Sequence, residues 1–244
     1  MRLRAGDWLV LALVVAGTGV LLALGTWQVQ RLAWKQGLIA RVEANRSGEP
    51  VPYDELVAIA QGGGDVEYRP VRLRGRFLHE HEQYYLATHE GTTGRFVYTP
   101  LERSDGRFVW VNRGFVPQRR MDPATRADGQ VAGTVEVTGL AREAPDAKPN
   151  FFTPENEPAR RLYFWKDRDT MTRAAGLSPE RVQPLFVDAA RTGEHAVAAL
   201  PRGGITRIEF SNNHLQYSVT WYGLAGCLVL VGGLFLVRRV RARG

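Results

Sequence analysis

The sequence predicts an α+β membrane protein, with two transmembrane helices flanking an antiparallel, β-rich, barrel-like extracytoplasmic domain. Three observations carry that prediction. Long apolar segments lie near both ends of the 244-residue chain. The excess positive charge is gathered beside those segments. Between them the hydrophobic period changes from helical to alternating, with short turns.

The first transmembrane segment is expected over residues 8–27; it is apolar from Trp8 to Gly25 except for Thr18, and Trp27 closes it. Arg2 and Arg4 precede it. A signal peptide would show the same basic start and a small-residue site such as Ala23-Leu24-Gly25. The segment is long for that role and the pattern after it stays helical, so a retained transmembrane helix is expected. The second segment, residues 219–237, holds 19 residues without a charge. At helical rise it is roughly 28 Å long, close to the hydrocarbon thickness of a bilayer. Trp221 and Tyr222 stand at its start, where amphipathic rings favour the headgroup level. Ala12, Ala16, Gly19 and Ala23 form one stripe of small residues, and Gly223, Gly226 and Gly233 another, so the helices are expected to pair along these stripes.

Charge excludes one class of function. The net charge is +7, yet Arg2, Arg4, Arg238, Arg239, Arg241 and Arg243 crowd the ends against Asp7 alone. Without these seven, 26 basic and 24 acidic residues remain. The layout is a topology signal that places both termini in the cytoplasm, and it is no nucleic-acid footprint. Residues 28–218 then form the extracytoplasmic domain: periplasmic in a bacterium, in the intermembrane space of a mitochondrion. A mean hydropathy of −0.24 excludes a polytopic membrane protein. Cys227 is the sole cysteine, which excludes an internal disulfide and a Cys-based metal or redox pair.

Within the middle region, residues 28–45 continue the first helix, with Trp27, Arg31, Trp34 and Leu38 on one face. Residues 47–52 break it, and residues 53–60 read as a short helix. Gly62-Gly63-Gly64 lacks the lysine and hydroxyl of a phosphate loop. From residue 68, Val71, Leu73 and, past Gly75, Phe77 alternate with Arg72, Arg74 and Arg76, giving a half-buried strand with a cationic face. Residues 83–88, 95–101, 107–116 and 134–142 read as further strands, with a hairpin turn at Ser104-Asp105-Gly106. Residues 144–160 contain four prolines and form a loop carrying Phe151 and Phe152. A short strand at 162–165, a helix at 168–175 and strands at 184–188 and 205–210 follow. Close spacing and short turns predict an antiparallel sheet that curls toward a barrel.

Candidate chemistry centres on histidine. His79-Glu80-His81 with His89 nearby lacks the carboxylate spacing of a metal site and reads as a solvated turn. His195 reads as surface. His214 precedes the second apolar segment and, on a helix, shares a face with Tyr217, Ser218, Trp221 and Ala225. An imidazole beside aromatic rings at a membrane boundary can ligate haem iron. A capping or interfacial histidine bonded to Asn212 or a carbonyl is the alternative. No nucleophile elbow, zinc-protease motif, Gly-rich cofactor fingerprint or covalent haem motif is present, so the chain is not expected to be an enzyme.

Four stretches taken together resemble one family. They are residues 25–31 (GTWQVQR) with Trp34 and Lys35, residues 68–77 (YRPVRLRGRF), residues 111–117 (VNRGFVP) and residues 213–223 (NHLQYSVTWYG). The resemblance is to the Surfeit locus protein one family, the assembly factors of cytochrome c oxidase, and it spans nearly the whole chain. Phe115 stands where that family more often has Trp. The resemblance implies two transmembrane helices around a periplasmic or intermembrane-space domain, in a bacterial inner (plasma) membrane for a bacterial member. It implies binding or delivery of haem a to oxidase subunit I, with subunit I, other assembly factors and membrane lipids as partners. In bacterial members a histidine at the start of the second helix is assigned to haem, and the matching residue is His214. Tyr217, Trp221 and Trp27 are then candidate pocket walls. Arg72, Arg74 and Arg76 would meet propionates or headgroups, or remain a solvated face. The alternative within the family is a membrane scaffold that stabilises subunit I without touching haem.

Overall fold

The computed structural model describes residues 5–191, 200–205 and 213–242. His195, Asn212 and all of the expected strand at 205–210 except Ile205 lie outside them. The chain divides into two compact units, Met1–Arg41 with Ile208–Gly244, and Val42–Arg207.

The first unit holds the two long helices. Helix α1 (Ala5–Arg46) runs without interruption through both the apolar segment and its polar continuation. Helix α4 (His214–Arg241) carries the second segment and ends in Arg238, Arg239 and Arg241, where cations complement the helix dipole. Both helices are long and apolar enough to cross a membrane.

The second unit is built on one eight-stranded sheet. Its strands are β1 (Val51–Pro52), β2 (Pro70–Phe77), β3 (Gln83–His89), β4 (Thr92–Glu102), β5 (Phe108–Pro117), β6 (Thr134–Arg142), β7 (Leu162–Tyr163) and β8 (Phe186–Ala189). Their order is β1-β2-β6-β8-β5-β4-β3-β7, with a further pairing of β2 to β4. The sheet is mixed, which corrects the antiparallel expectation. Short strands arriving from distant sequence pair in parallel: β1 on β2, β7 on β3 and β8 on β5. The other pairings are antiparallel: β2 with β6 and with β4, β6 with β8, and β3, β4 and β5 in succession. The circuit β2-β6-β8-β5-β4 returns to β2 through Arg76–Glu102 and Phe77–Leu101. Gly75 makes that return possible, since a Cβ there would lie 2.4 Å from the Glu102 carbonyl oxygen.

The alternation read in β2 is the alternation observed. Val71 and Leu73 are buried, while Arg72, Arg74 and Arg76 are exposed. Arg72 donates to the Pro50 carbonyl at 2.9 Å and Arg76 pairs with Glu102 at 2.8 Å. One core cluster joins Val71, Leu73, Leu101, Val109, Val111 and Val187 to helix α2 (Tyr53–Gln61). The Tyr53 hydroxyl anchors α2 by donating to the Leu185 carbonyl at 2.9 Å. A second cluster packs Tyr98, Trp110, Tyr163 and Phe186 against Met171 and Ala175, bringing in helix α3 (Arg168–Ala174).

A buried ionic group lies beside these clusters. Glu82 accepts from Arg126 through both carboxylate oxygens and from Arg113 at 3.3 Å. Arg113 also donates to the Gly129 carbonyl and reaches His79 Nδ1 at 3.1 Å. A guanidinium only donates, so Nδ1 is the lone-pair nitrogen and Nε2 donates to the Val131 carbonyl at 3.0 Å. Burial holds His79 below its ordinary value of 6.5. The unfolded chain therefore takes up the proton first as pH falls, and the native state loses stability below about pH 6.5. The expected result is a fall in unfolding free energy on acidification from this region that is smaller in His79→Gln, measured by urea titrations of both proteins across pH 5–7.

Candidate functional site

The candidate site grows out of the pairing of α1 with α4. On α1 the residues turned inward are Asp7, Leu11, Val14, Thr18, Leu21, Gly25 and Gln28, at alternating steps of four and three. On α4 they are His214, Ser218, Trp221, Ala225, Leu228 and Gly232, in the same rhythm. That spacing is the seam of two helices crossing at a shallow angle. Contacts run in opposite chain order, so the pair is antiparallel. Arg239 bridges to Asp7 at 3.0 Å. A Cβ on Gly232 would lie 2.6 Å from Val14, and one on Gly17 2.9 Å from Leu228. Close approach therefore depends on small residues. They are not the ones read from the sequence: Ala12, Ala16, Gly19 and Ala23 are exposed, as are Gly223, Gly226 and Gly233. The physical reason is that a small side chain has no preference of its own for a helix seam, and the four-three rhythm selects a different face.

Polar groups gather where α4 begins. The Tyr222 hydroxyl and Thr26 Oγ1 are 3.1 Å apart, and the Tyr222 ring fills the space left by Gly25. Thr26 Oγ1 also donates to the Leu22 carbonyl, the habit of a threonine inside a helix. At the start of α4, His214 Nδ1 meets Gln28 Oε1 at 2.7 Å. A carboxamide oxygen only accepts, so Nδ1 carries the proton, and in the neutral ring Nε2 is the nitrogen left with the lone pair.

The four residues singled out from the sequence separate into two sets. His214 and Trp221 are half-buried in the seam. Tyr217 and Trp27 are 53 % and 50 % exposed, turned away from it. Gln28 and Thr26 were not foreseen. The available signal was a polar residue in the four-three rhythm of an apolar helix, which marks Gln28 on α1 as it marks His214 on α4.

Comparisons with known proteins extend over most of the chain. The family model described as the SURF1 family matches residues 15–226. Surfeit locus protein 1 of Xenopus tropicalis is 39% identical over 250 residues, covering 96% of this chain and 76% of that one. Surfeit locus protein 1 of Homo sapiens is 39% identical over 236 residues, covering 90% and 73%. The SURF1-like protein of Drosophila melanogaster is 33% identical over 236 residues, covering 89% and 74%.

Proposed function

This chain belongs to the SURF1 family, and from that premise we propose that it is a membrane-anchored assembly factor for haem-copper (cytochrome c) oxidase. In this reading it is not an enzyme. It binds haem a at His214 and passes it to oxidase subunit I. The observation that supports the reading best is the hydrogen bond from His214 Nδ1 to Gln28 at 2.7 Å. Metal-ligating histidines commonly give their other ring N–H to an oxygen acceptor, which fixes the tautomer and raises the basicity of the ligating nitrogen. His214 is in that state, so its chemistry fits an iron ligand. A haem, when bound, would supply an iron that accepts an imidazole nitrogen as a ligand. His214 would hold the iron and Gln28 would orient the ring. Tyr217, Trp27 and Trp221 offer aromatic surface to the macrocycle.

The location follows from the same helices. Leu9, Leu13, Val20, Leu22, Leu230 and Val231 are more than 40 % exposed on helices that otherwise bury only their seam. Lipid is the cover that such surfaces suit. The basic end of α4 supports a reading in which both termini face the compartment opposite the globule, the cytoplasm in a bacterium. A bacterial inner membrane with a periplasmic globule meets these conditions. So does a mitochondrial membrane with the globule in the intermembrane space, and the three relatives above are animal proteins.

A second reading is favoured by the same hydrogen bond: His214 clasps α4 to α1, and the protein is a scaffold that holds subunit I without touching haem. Purification of the full chain with co-expressed haem a synthesis separates the two. The expected result is a haem spectrum in the wild type and none in His214→Ala. Gln28→Leu is expected to weaken haem binding by about 10–100-fold while the protein accumulates normally. An unchanged spectrum in His214→Ala would remove the haem reading and leave the scaffold.

A further inference from the structure

Lys166 lies between β7 and α3, in the Val42–Arg207 unit. It lines a cavity of about 410 Å³, within the usual size range of small-molecule sites. Tyr85, Phe96 and Tyr98 form the aromatic side of this cavity; Asn112, Arg142 and Asp188 form the polar side.

The polar side is already committed. Asp188 accepts from Asn112 at 2.9 Å through one oxygen and from Arg142 at 2.8 Å through the other. Arg142 also donates from Nε to Glu67 at 2.7 Å, and its guanidinium stacks 4.3 Å from the centre of the Tyr68 ring. Lys166 is different. Among the described residues its ammonium has no hydrogen-bond acceptor and no ion-pair partner within 4 Å. The Tyr98 and Phe186 rings are each centred 5.8 Å from its Nζ. Asp188 attracts it from beyond ion-pair distance, and burial pushes its ammonium below the ordinary lysine value. Lys166 is half-buried at the wall of this cavity, and its three donors find no protein acceptor there among the described residues. A ligand that relieves this must bring acceptor oxygens to Lys166 and an apolar body to the aromatic wall.

We propose that this cavity binds a small organic carboxylate with an apolar or aromatic body, its oxygens accepting from Lys166 Nζ. The site is separate from His214 and does not depend on the haem reading. The ammonium supplies the charge contact, Asn112 and Arg142 border it, and the three rings take the body of the ligand. Leu86, 42 % exposed, stands at the rim.

The test uses the full chain in detergent, titrated calorimetrically with 2-naphthoate and with its uncharged methyl ester, each corrected against empty micelles. The wild type is expected to bind the carboxylate at least tenfold more tightly than the ester. Lys166→Met abolishes that preference and Lys166→Arg keeps it. No preference in the wild type, or the same preference in Lys166→Met, overturns the proposal. Should Lys166→Met fail to fold, Leu86→Trp keeps the ammonium and closes the rim, and naphthoate binding is expected to fall at least tenfold; unchanged binding overturns the proposal. The chain has three lysines, Lys35, Lys148 and Lys166, so acylation mapping gives an independent reading. Naphthoate is expected to slow modification of Lys166 and leave Lys148 unaffected; equal rates with and without it count against the site.

Discussion

Glu82→Gln is expected to lower the unfolding free energy of the full chain by about 3–5 kcal/mol, the cost of breaking a buried ion pair from one side. Glu82 is fully buried, and its neighbours Arg126 and Arg113 are 2 % and 9 % exposed. One carboxylate serves both guanidiniums and also accepts from the Tyr84 hydroxyl at 3.2 Å. The amide keeps the volume but turns an NH₂ group toward a cation and removes the only negative charge in the group. Arg113 is already pushed down to about 10 by burial, against the pull of Glu82. Without that carboxylate its charged form has lost its main support. Urea unfolding followed by tryptophan fluorescence measures the change, with the slope expected to stay constant. A loss below about 1 kcal/mol would mean that the pair behaves as a solvated one.

Trp110→Ala is expected to cost about 3–5 kcal/mol, the range for a large aromatic side chain removed from a core. Trp110 is 1 % exposed and sits at the centre of the second cluster. Its indole Nε1–H donates to Thr172 Oγ1 at 3.2 Å, and Thr172 in turn donates to the Arg168 carbonyl at 2.7 Å. The side chain therefore packs the sheet and pins α3 to it. Deleting it leaves a cavity between the two and frees the helix that follows Lys166. Circular dichroism of the full chain under urea measures the loss. Trp110→Phe keeps most of the apolar volume and is expected to cost well under half as much. Equal effects from the two variants would show that the hydrogen bond, and not the packing, holds α3.

The two apolar segments, the alternation of β2, the hairpin at 104–106 and the long strands were legible because each is written in a local period. The parallel pairings were not. Strands of two to four residues, such as Val51–Pro52 and Phe186–Ala189, carry no period, and their partners lie far away in sequence. The helix seam was misread because small residues were weighed by type, while contact follows spacing. His214 was legible from its place before an apolar run. Its partner Gln28 lies 186 residues earlier, and only the fold brings them together. Glu82, Arg113 and Arg126 were invisible for the same reason, since nothing in the sequence distinguishes them from surface charges. Lys166 was missed because it sits among ordinary loop residues, and its isolation appears only once Arg142 and Asp188 are seen to satisfy each other.

The helix pair is gripped at both extremities, by Asp7 with Arg239 and by Gln28 with His214. On α1 the two grips stand three heptads apart. The stretch between them acts as a ruler. One inserted residue would swing one grip about 100° around the helix axis, away from its mate. A slide of one full turn would open both at once. The seam therefore tolerates changes of side chain far better than changes of length.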